Sequence, residues 1–252
     1  MRIHSLIAAL ALPLVSYAAT AQSLAERVRS AGDGTVRFSF AARQGVCGDG
    51  RNNIRVNDRA SKDVEWECER GPVMIALDKQ GGHVTAVRAY VGARWRAPAA
   101  DVTSLGTVGT RDAVDFLLGI AEAESGKVAE QAIFPATLAD SVAPWPRLLR
   151  IARDEGRPRG VRTQSVFWLG QAAGAEATKD LADVAEDSNG DREVRKAAVF
   201  ALSQQKSAGV DALLRIARDN KDKEVRKQAI FWLGQSKDPR ALDYFESVLT
   251  KK

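Results

Sequence analysis

The side chains that most often perform catalysis are scarce in this sequence. The chain of 252 residues has two histidines, and His4 lies in a predicted leader that is removed. A Ser–His or Cys–His nucleophile pair would have to use His83, and no G-x-S-x-G motif is present. No H-E-x-x-H motif, paired-cysteine motif or glycine-rich phosphate loop occurs. The sequence therefore favours a protein that is not an enzyme and holds no metal or cofactor, although its many carboxylates leave acid–base catalysis open.

The two cysteines, Cys47 and Cys68, are predicted to form a disulfide. Export places them in an oxidising compartment, where such bonds persist. Closing a loop of about 20 residues stabilises a fold by roughly 3 kcal/mol, because it restricts the unfolded chain. The alternative is a reactive or metal-binding thiol pair, but these two residues lack the C-x-x-C spacing of such sites.

The loop GVCGDGRNN, at residues 45–53, offers oxygen atoms that could bind calcium. These belong to Asp49, Asn52 and Asn53. An EF-hand loop needs acids at alternating positions and a distal glutamate, and this loop has neither. Gly-Asp-Gly and Asn-Asn are also common in tight turns. A turn is therefore the favoured interpretation.

A phrase of eleven residues that contains basic and aromatic side chains occurs three times. The copies are VRTQSVFWLGQ (161–171), VRKAAVFALSQ (194–204) and VRKQAIFWLGQ (225–235). Repetition of this kind indicates stacked units, a row of equivalent binding positions, or both.

The basic residues of the phrase form a column of Arg162, Arg195 and Arg226, joined by Lys196 and Lys227. One interpretation is structural, in which the column pairs with acids near the turns. The other is a basic ridge that binds a protein partner, possibly an acidic one, and these five residues are its candidate site. The acids available for pairing are Asp191, Glu193, Asp222 and Glu224.

The aromatic residues of the phrase also recur. Trp168 and Trp232 match in position, with Ala201 between them, and a partly exposed indole would make a good interface anchor. Burial is the favoured alternative. Phenylalanine occurs once per unit and is predicted to belong to the core between units, at Phe134, Phe167, Phe200 and Phe231.

Helical spacing explains the apolar part of the phrase. Val225, Ala229, Trp232 and Leu233 lie at i, i+4, i+7 and i+8, which places them on one helix face. Such helices begin at Val128, Val161, Val194 and Val225, with separations of 33, 33 and 31 residues. An earlier helix is predicted in each unit, at residues 116–123, 148–154, 181–187 and 213–219. Two helices per period are typical of an α-solenoid.

The stretch VRKQAIFWLGQSKDPRALDYFESVL (225–249) resembles a HEAT repeat, of the kind also found in phycobilisome-lyase-like proteins. It follows the loose pattern V-R-x-x-A, then Leu-Gly, then D-P-x-A. The other copies depart from it at Ser165, Ser203, Ala129 and Pro135. The resemblance implies about four helical units and a ladder of Arg–Asp pairs, and it says little about function.

A different pattern precedes the repeats. Alternating apolar residues predict strands at VRFSF (36–40), VEWEC (64–68), PVMIAL (72–77) and HVTAVRAYV (83–91), with a turn at KQGG. The predicted fold class is therefore α+β: a small disulfide-linked antiparallel β domain followed by an α-solenoid of about four HEAT-like repeats. The predicted boundaries are a signal peptide at 1–21, a short helix at 22–34, the β domain at 35–95, a linker at 96–111 and the solenoid at 112–252.

The first residues predict export. MRIH carries positive charge, an apolar run follows, and Ala19-Thr20-Ala21 has the small-x-small form of a cleavage site. The run is too short for a membrane anchor. Export and a mature net charge of +4 argue against a nucleic-acid partner.

These observations favour a monomeric, periplasmic or secreted protein that binds another protein on the concave face of its solenoid. A lyase-like or small-molecule-binding HEAT protein is one alternative, and a self-assembling envelope scaffold is another.

Overall fold

The computed structural model describes residues 22–51, 53–56, 67–92, 95, 100–172 and 177–250. The predicted leader and most of the predicted strand VEWEC, including Trp66, lie outside these ranges. The described chain is a β region followed by a helical array, so the predicted fold class is confirmed.

Four strands form one sheet in the order β5-β4-β1-β6, and β2 and β3 form a separate antiparallel pair. The strands are β1 (Gly34–Phe40), β2 (Val46–Gly48), β3 (Ile54–Val56), β4 (Val73–Gln80), β5 (His83–Tyr90) and β6 (Val102–Thr107). Both β1 and β5 run antiparallel to β4. The predicted strands at 36–40, 72–77 and 83–91 are thus present, and Gly81 and Gly82 turn between β4 and β5 with φ of 59° and 80°.

The predicted linker at 96–111 is wrong in its described part. Val102–Thr107 forms β6, which pairs in parallel with β1, and helix α2 already begins at Thr110. The sequence VTSLGT shows no apolar alternation because β6 is an edge strand with mostly exposed side chains. Its backbone is paired by a strand more than sixty residues earlier, which local pattern cannot reveal.

The sheet buries one face against the first helices. Val36, Phe38 and Phe40 are fully buried, and the Phe38 ring meets Phe116 of α2 edge-to-face at 6.0 Å. Helix α1 (Leu24–Ser30) begins with a capping box of Ser23 and Glu26.

Nine helices follow the sheet in the described chain. They are α2 (Thr110–Ala123), α3 (Gly126–Ala136), α4 (Trp145–Arg153), α5 (Arg159–Ala172), α6 (Ala177–Glu186), α7 (Arg192–Ser203), α8 (Lys206–Asp219), α9 (Lys223–Gln235) and α10 (Pro239–Thr250). Consecutive helices pair as α2–α3, α4–α5, α6–α7 and α8–α9, and α10 is a further first helix. This is the array that the repeat period predicts. None of the described helices is long and apolar enough to span a bilayer.

The second helices, α3, α5, α7 and α9, pack against one another more closely than the first helices do. Any curvature of the stack therefore places the second helices on its inner side. Gly170 allows this approach between α5 and α7, because a Cβ atom there would lie 2.8 Å from the Ala201 Cβ. Pro135 lies next to the last residue of α3, consistent with the degenerate first unit.

The predicted disulfide between Cys47 and Cys68 is present, with Cα atoms 5.3 Å apart. It joins β2 to a segment whose residue Glu69 exchanges backbone hydrogen bonds with Gly48. Gly50 donates to the Val91 carbonyl at 2.7 Å, so the β2–β3 pair lies against the end of β5.

Candidate functional site

The arginine column belongs largely to the interior. Arg162 and Arg195 are only 7% and 5% exposed, which corrects their assignment to a partner-binding ridge. Each Nε donates to a carbonyl in the last turn of the preceding first helix, at Ala152 (3.1 Å) and Ala185 (3.2 Å) respectively. A guanidinium at this position satisfies carbonyls that have no partner within their own helix. The structural interpretation holds for these two residues.

The remaining basic candidates are at least partly exposed. Arg226 donates to the carbonyls of Asn220 and Lys221 at the end of α8. Lys196 pairs with Glu193 at 3.2 Å, and Lys227 pairs with Glu224 at 2.9 Å, each within one helix turn. Each lysine is therefore paired with a carboxylate of its own helix.

A ladder of Arg–Asp pairs is present, but its main arginines lie outside the column of Arg162, Arg195 and Arg226. Arg159 donates to Asp191 at 2.9 Å, and Arg192 donates to Asp222 at 3.0 Å. Each pair joins a second helix to the start of the next one. The second oxygen of each carboxylate caps that helix, since Asp191 and Asp222 accept from its first amides. Arg195 adds a contact to Asp222 at 3.3 Å.

These contacts change the titration of both carboxylates. The hydrogen bond from Arg192 is the main reason that the pKa of Asp222 lies below its usual value. Burial raises the pKa of Asp191, but hydrogen bonds from Arg159 and from two backbone amides outweigh it, so this pKa is also lowered. Both side chains are therefore charged across the neutral range, as a structural ladder requires.

The aromatic residues form a continuous row along the second helices. We use the name aromatic row for Phe134, Phe167, Trp168, Phe200, Phe231 and Trp232. Phe134 stacks on Trp168 with ring centroids 4.4 Å apart, Phe167 faces Phe200 at 6.1 Å, and Phe200 meets Trp232 at 5.1 Å. The row thus crosses all four second helices.

The aromatic row is partly exposed, which corrects the prediction that its phenylalanines belong to the core. Phe134, Phe167 and Phe200 are of intermediate exposure, and Phe231 is 54% exposed. Trp168 and Trp232 are also of intermediate exposure, so both indoles contribute to this surface. Their Nε1 atoms are buried and have no hydrogen-bond partner among the described residues. Sequence periodicity located these residues, but it could not separate a core face from the adjoining surface.

A groove of about 470 Å³ lies between strand β5 and the second helices α3 and α5. Its volume is within the usual range of ligand pockets. Phe134 and Trp168 line it, so the aromatic row begins there. The groove-facing backbone of β5 is met by α3, because the Val87 amide donates to the Gln131 side chain at 3.1 Å. This groove has no signature in the sequence, since it depends on where the sheet meets the array.

The remaining candidates for chemistry do not meet in one site. His83 is exposed at the start of β5, and both cysteines belong to the disulfide. Asp49 accepts hydrogen bonds from the amides of Arg51 and Asn53 and from the Asn53 side chain, so its oxygens serve the turn. No cluster of ligand-type side chains that could hold a metal ion occurs among the residues that the structure describes.

The comparisons with known proteins concern the array. Residues 187–252 match the family described as HEAT repeats. No curated protein matches the chain. The narrower resemblance to phycobilisome-lyase-like proteins stays a prediction. HEAT repeats are generally scaffolds for protein interaction, and the C-terminal part of this chain is similar to them.

Proposed function

We propose that this protein is a non-catalytic scaffold that binds another protein along the exposed face of its second helices. The aromatic row carries this proposal. A continuous, partly exposed series of rings is the kind of surface found at the centre of protein interfaces. Each unit alone contributes one or two rings, and stacking assembles them into a surface long enough for a partner.

The composition of this face differs from the basic ridge that the sequence suggested. Trp168 and Trp232 remain proposed anchors, and Lys196 and Lys227 are proposed to flank the row. Arg162 and Arg195 are excluded because they are buried. Since the lysines are paired with glutamates, we expect apolar contact rather than net charge to dominate affinity. The proposed location is the periplasm or the outside of the cell, on the grounds of the predicted leader and the disulfide.

The test is site-specific photo-crosslinking in cells that export the protein. A photoreactive phenylalanine analogue replaces Phe167, Phe200 or Phe231 in separate variants, and Arg218, exposed on first helix α8, is the control position. We expect the same partner protein to be captured from at least two row positions and not from the control. Equal capture from all positions, or capture from none, would contradict the proposal.

A second candidate is self-association through the last unit. Leu242, Val248 and Leu249 of α10 are 60%, 52% and 84% exposed, which is unusual for large apolar side chains. We expect the double variant Leu242→Ser/Leu249→Ser to lower the average mass measured by light scattering if this surface joins two copies. An unchanged monomer mass for both proteins would favour the monomeric state that the sequence analysis predicted.

A further inference from the structure

The edge strand β5 has an outer hydrogen-bonding side that faces the groove and is only partly used, by Gln131 of α3. In the β5-β4-β1-β6 sheet, one side of β5 pairs with β4, and no strand of the described part of the chain lies on the other side. The Val87 amide points to this second side, since it donates to Gln131 of α3. Val87 and Ala89 lie in the same unbroken stretch of the β4–β5 register, opposite Leu77 and Ile75. Backbone groups two residues apart point the same way, so those of Ala89 also face the groove.

Ala89 lies opposite Ile75 of β4. Its amide and carbonyl make no hydrogen bond across the groove to any residue in the described ranges. An open strand edge of this kind is a template for another strand. Gln131 already acts on it as a partner strand would, by placing a carbonyl oxygen on the Val87 amide. The donor and acceptor that Ala89 has left match those of an extended segment lying beside it.

Aromatic side chains form one wall of the groove. Phe134 and Trp168 form its aromatic side, and Tyr90 projects from β5 itself. Alternate side chains of a strand that lies beside β5 would reach this wall of the groove. One apolar side chain of a docked strand would thus contact the start of the aromatic row.

Charge at the rim indicates what kind of segment fits. Arg88 is held by two contacts to Asp78, of 2.5 and 2.6 Å. Lys127 and Glu130 lie three residues apart on α3 with opposite charges. The rim is therefore close to neutral, and its complement is a segment without net charge.

We infer that the protein binds an uncharged extended segment of its partner, which adds as a strand to the outer edge of β5 and places an apolar side chain against Phe134 and Trp168. This inference rests on the proposed scaffold function and names the form in which the partner docks. Strand addition uses backbone bonds for affinity and side-chain pockets for selectivity.

The test uses a panel of short synthetic peptides, capped at both ends and solubilised with a polyethylene-glycol tail, in which threonine alternates with valine, leucine, phenylalanine or tryptophan. Each has a counterpart that is N-methylated at alternate residues, which keeps the side chains but removes the donors of one edge. We expect at least one parent peptide to slow hydrogen exchange of the Ala89 amide. Its methylated counterpart should bind roughly ten-fold more weakly, as the loss of two or more hydrogen bonds predicts.

Two variants extend the test. Ala89→Pro removes the groove-facing amide but none that pairs with β4, and proline is tolerated at such edge positions. Ala89→Ser keeps the amide and is the matched control. Gln164→Trp fills the groove from α5 and serves if Ala89→Pro does not fold. We expect Ala89→Pro and Gln164→Trp to lose peptide binding and Ala89→Ser to keep it.

The outcomes separate this inference from the scaffold proposal. Equal binding of parent and methylated peptides, or no protection of Ala89 by any peptide, overturns strand addition. Crosslinking at Phe167, Phe200 and Phe231 is independent of both results. A partner captured there without peptide binding at β5 would leave the scaffold proposal intact and remove only the strand.

Discussion

Arg195 and Arg226 occupy the same position of the same repeated phrase, yet their surroundings differ between an inner unit and the last complete unit of the array. Arg195 is buried and bonds to Ala185 in its own unit and to Asn220 and Asp222 in the next. Arg226 is partly exposed, and among the described residues its side chain bonds to the carbonyls of Asn220 and Lys221, near the end of α8. The difference shows that a repeat position acquires its role from the unit that covers it.

The largest expected effect concerns this pair directly. Arg195→Ala removes three hydrogen bonds of a buried guanidinium, although the oxygens of Ala185, Asn220 and Asp222 each keep a second donor. We expect a loss of about 3 kcal/mol in the free energy of unfolding. Arg226→Ala removes partly exposed hydrogen bonds and should cost about 1 kcal/mol. Urea denaturation followed by circular dichroism measures both. Similar losses of unfolding free energy for the two variants would contradict the claim that the covering unit decides the role of the arginine.

The glycine near the end of the phrase, Gly170 in one unit and Gly234 in the last, provides a second comparison between an inner and an outer unit. Gly170→Ala places a Cβ atom 2.8 Å from the Ala201 Cβ, so we expect overpacking to cost about 1–3 kcal/mol. At Gly234 the nearest atom, Phe245 Cζ, is 3.9 Å away, and alanine favours the helix. Gly234→Ala should therefore stabilise the protein by up to about 1 kcal/mol. Thermal unfolding of both variants gives the sign, and the same sign for both would contradict this account of close packing.

The smallest expected effect is on pH dependence. The pKa of Asp222 is lowered in the folded protein, mainly by Arg192. The pKa of Asp238 is lowered to about 2, mainly by Arg240. A carboxylate with a lowered folded pKa stabilises the fold above its unfolded pKa, and this contribution is lost as the pH falls toward the folded value. We expect the melting temperature to fall between about pH 4 and pH 2.

Two variants separate the contribution of Asp222, between α7 and α9, from that of Asp238, near the end of the array. Asp222→Asn and Asp238→Asn should each lower the melting temperature at neutral pH and flatten its decrease in acid. Since Asp222 also caps α9 and contacts Arg195, its variant should differ more from the wild type. Melting curves at a series of pH values test this. An acid decrease as steep in both variants as in the wild type would show that other groups cause it.

Sequence pattern predicted the array far better than the sheet. The period placed Val161, Val194 and Val225 at equivalent buried positions, because helix faces follow from spacing within a few residues. Strand β6 was missed because it depends on pairing with β1 across the whole β region. The disulfide was predicted from the compartment and the count of cysteines, which required no geometry.

The candidate site was predicted only in its residue types. The basic and aromatic columns were both visible in the repeated phrase, but the basic one proved mostly structural and the aromatic one partly exposed. Arg159 and Arg192, which form the main rungs, are the first residues of α5 and α7 and lie two positions before the repeated phrase, so the repeat does not mark them. Their role depends on the distance to an aspartate about thirty residues later.

The sequence by itself determined the repeat period, the helix faces and the disulfide partners, since these follow from local spacing and composition. Only the tertiary structure decided which arginine is covered, which rings reach the surface, and that the edge of β5 borders the array. These features depend on contacts between residues far apart in the chain. An identical sequence such as Val-Arg-Lys in two units therefore does not show which neighbouring unit packs against it.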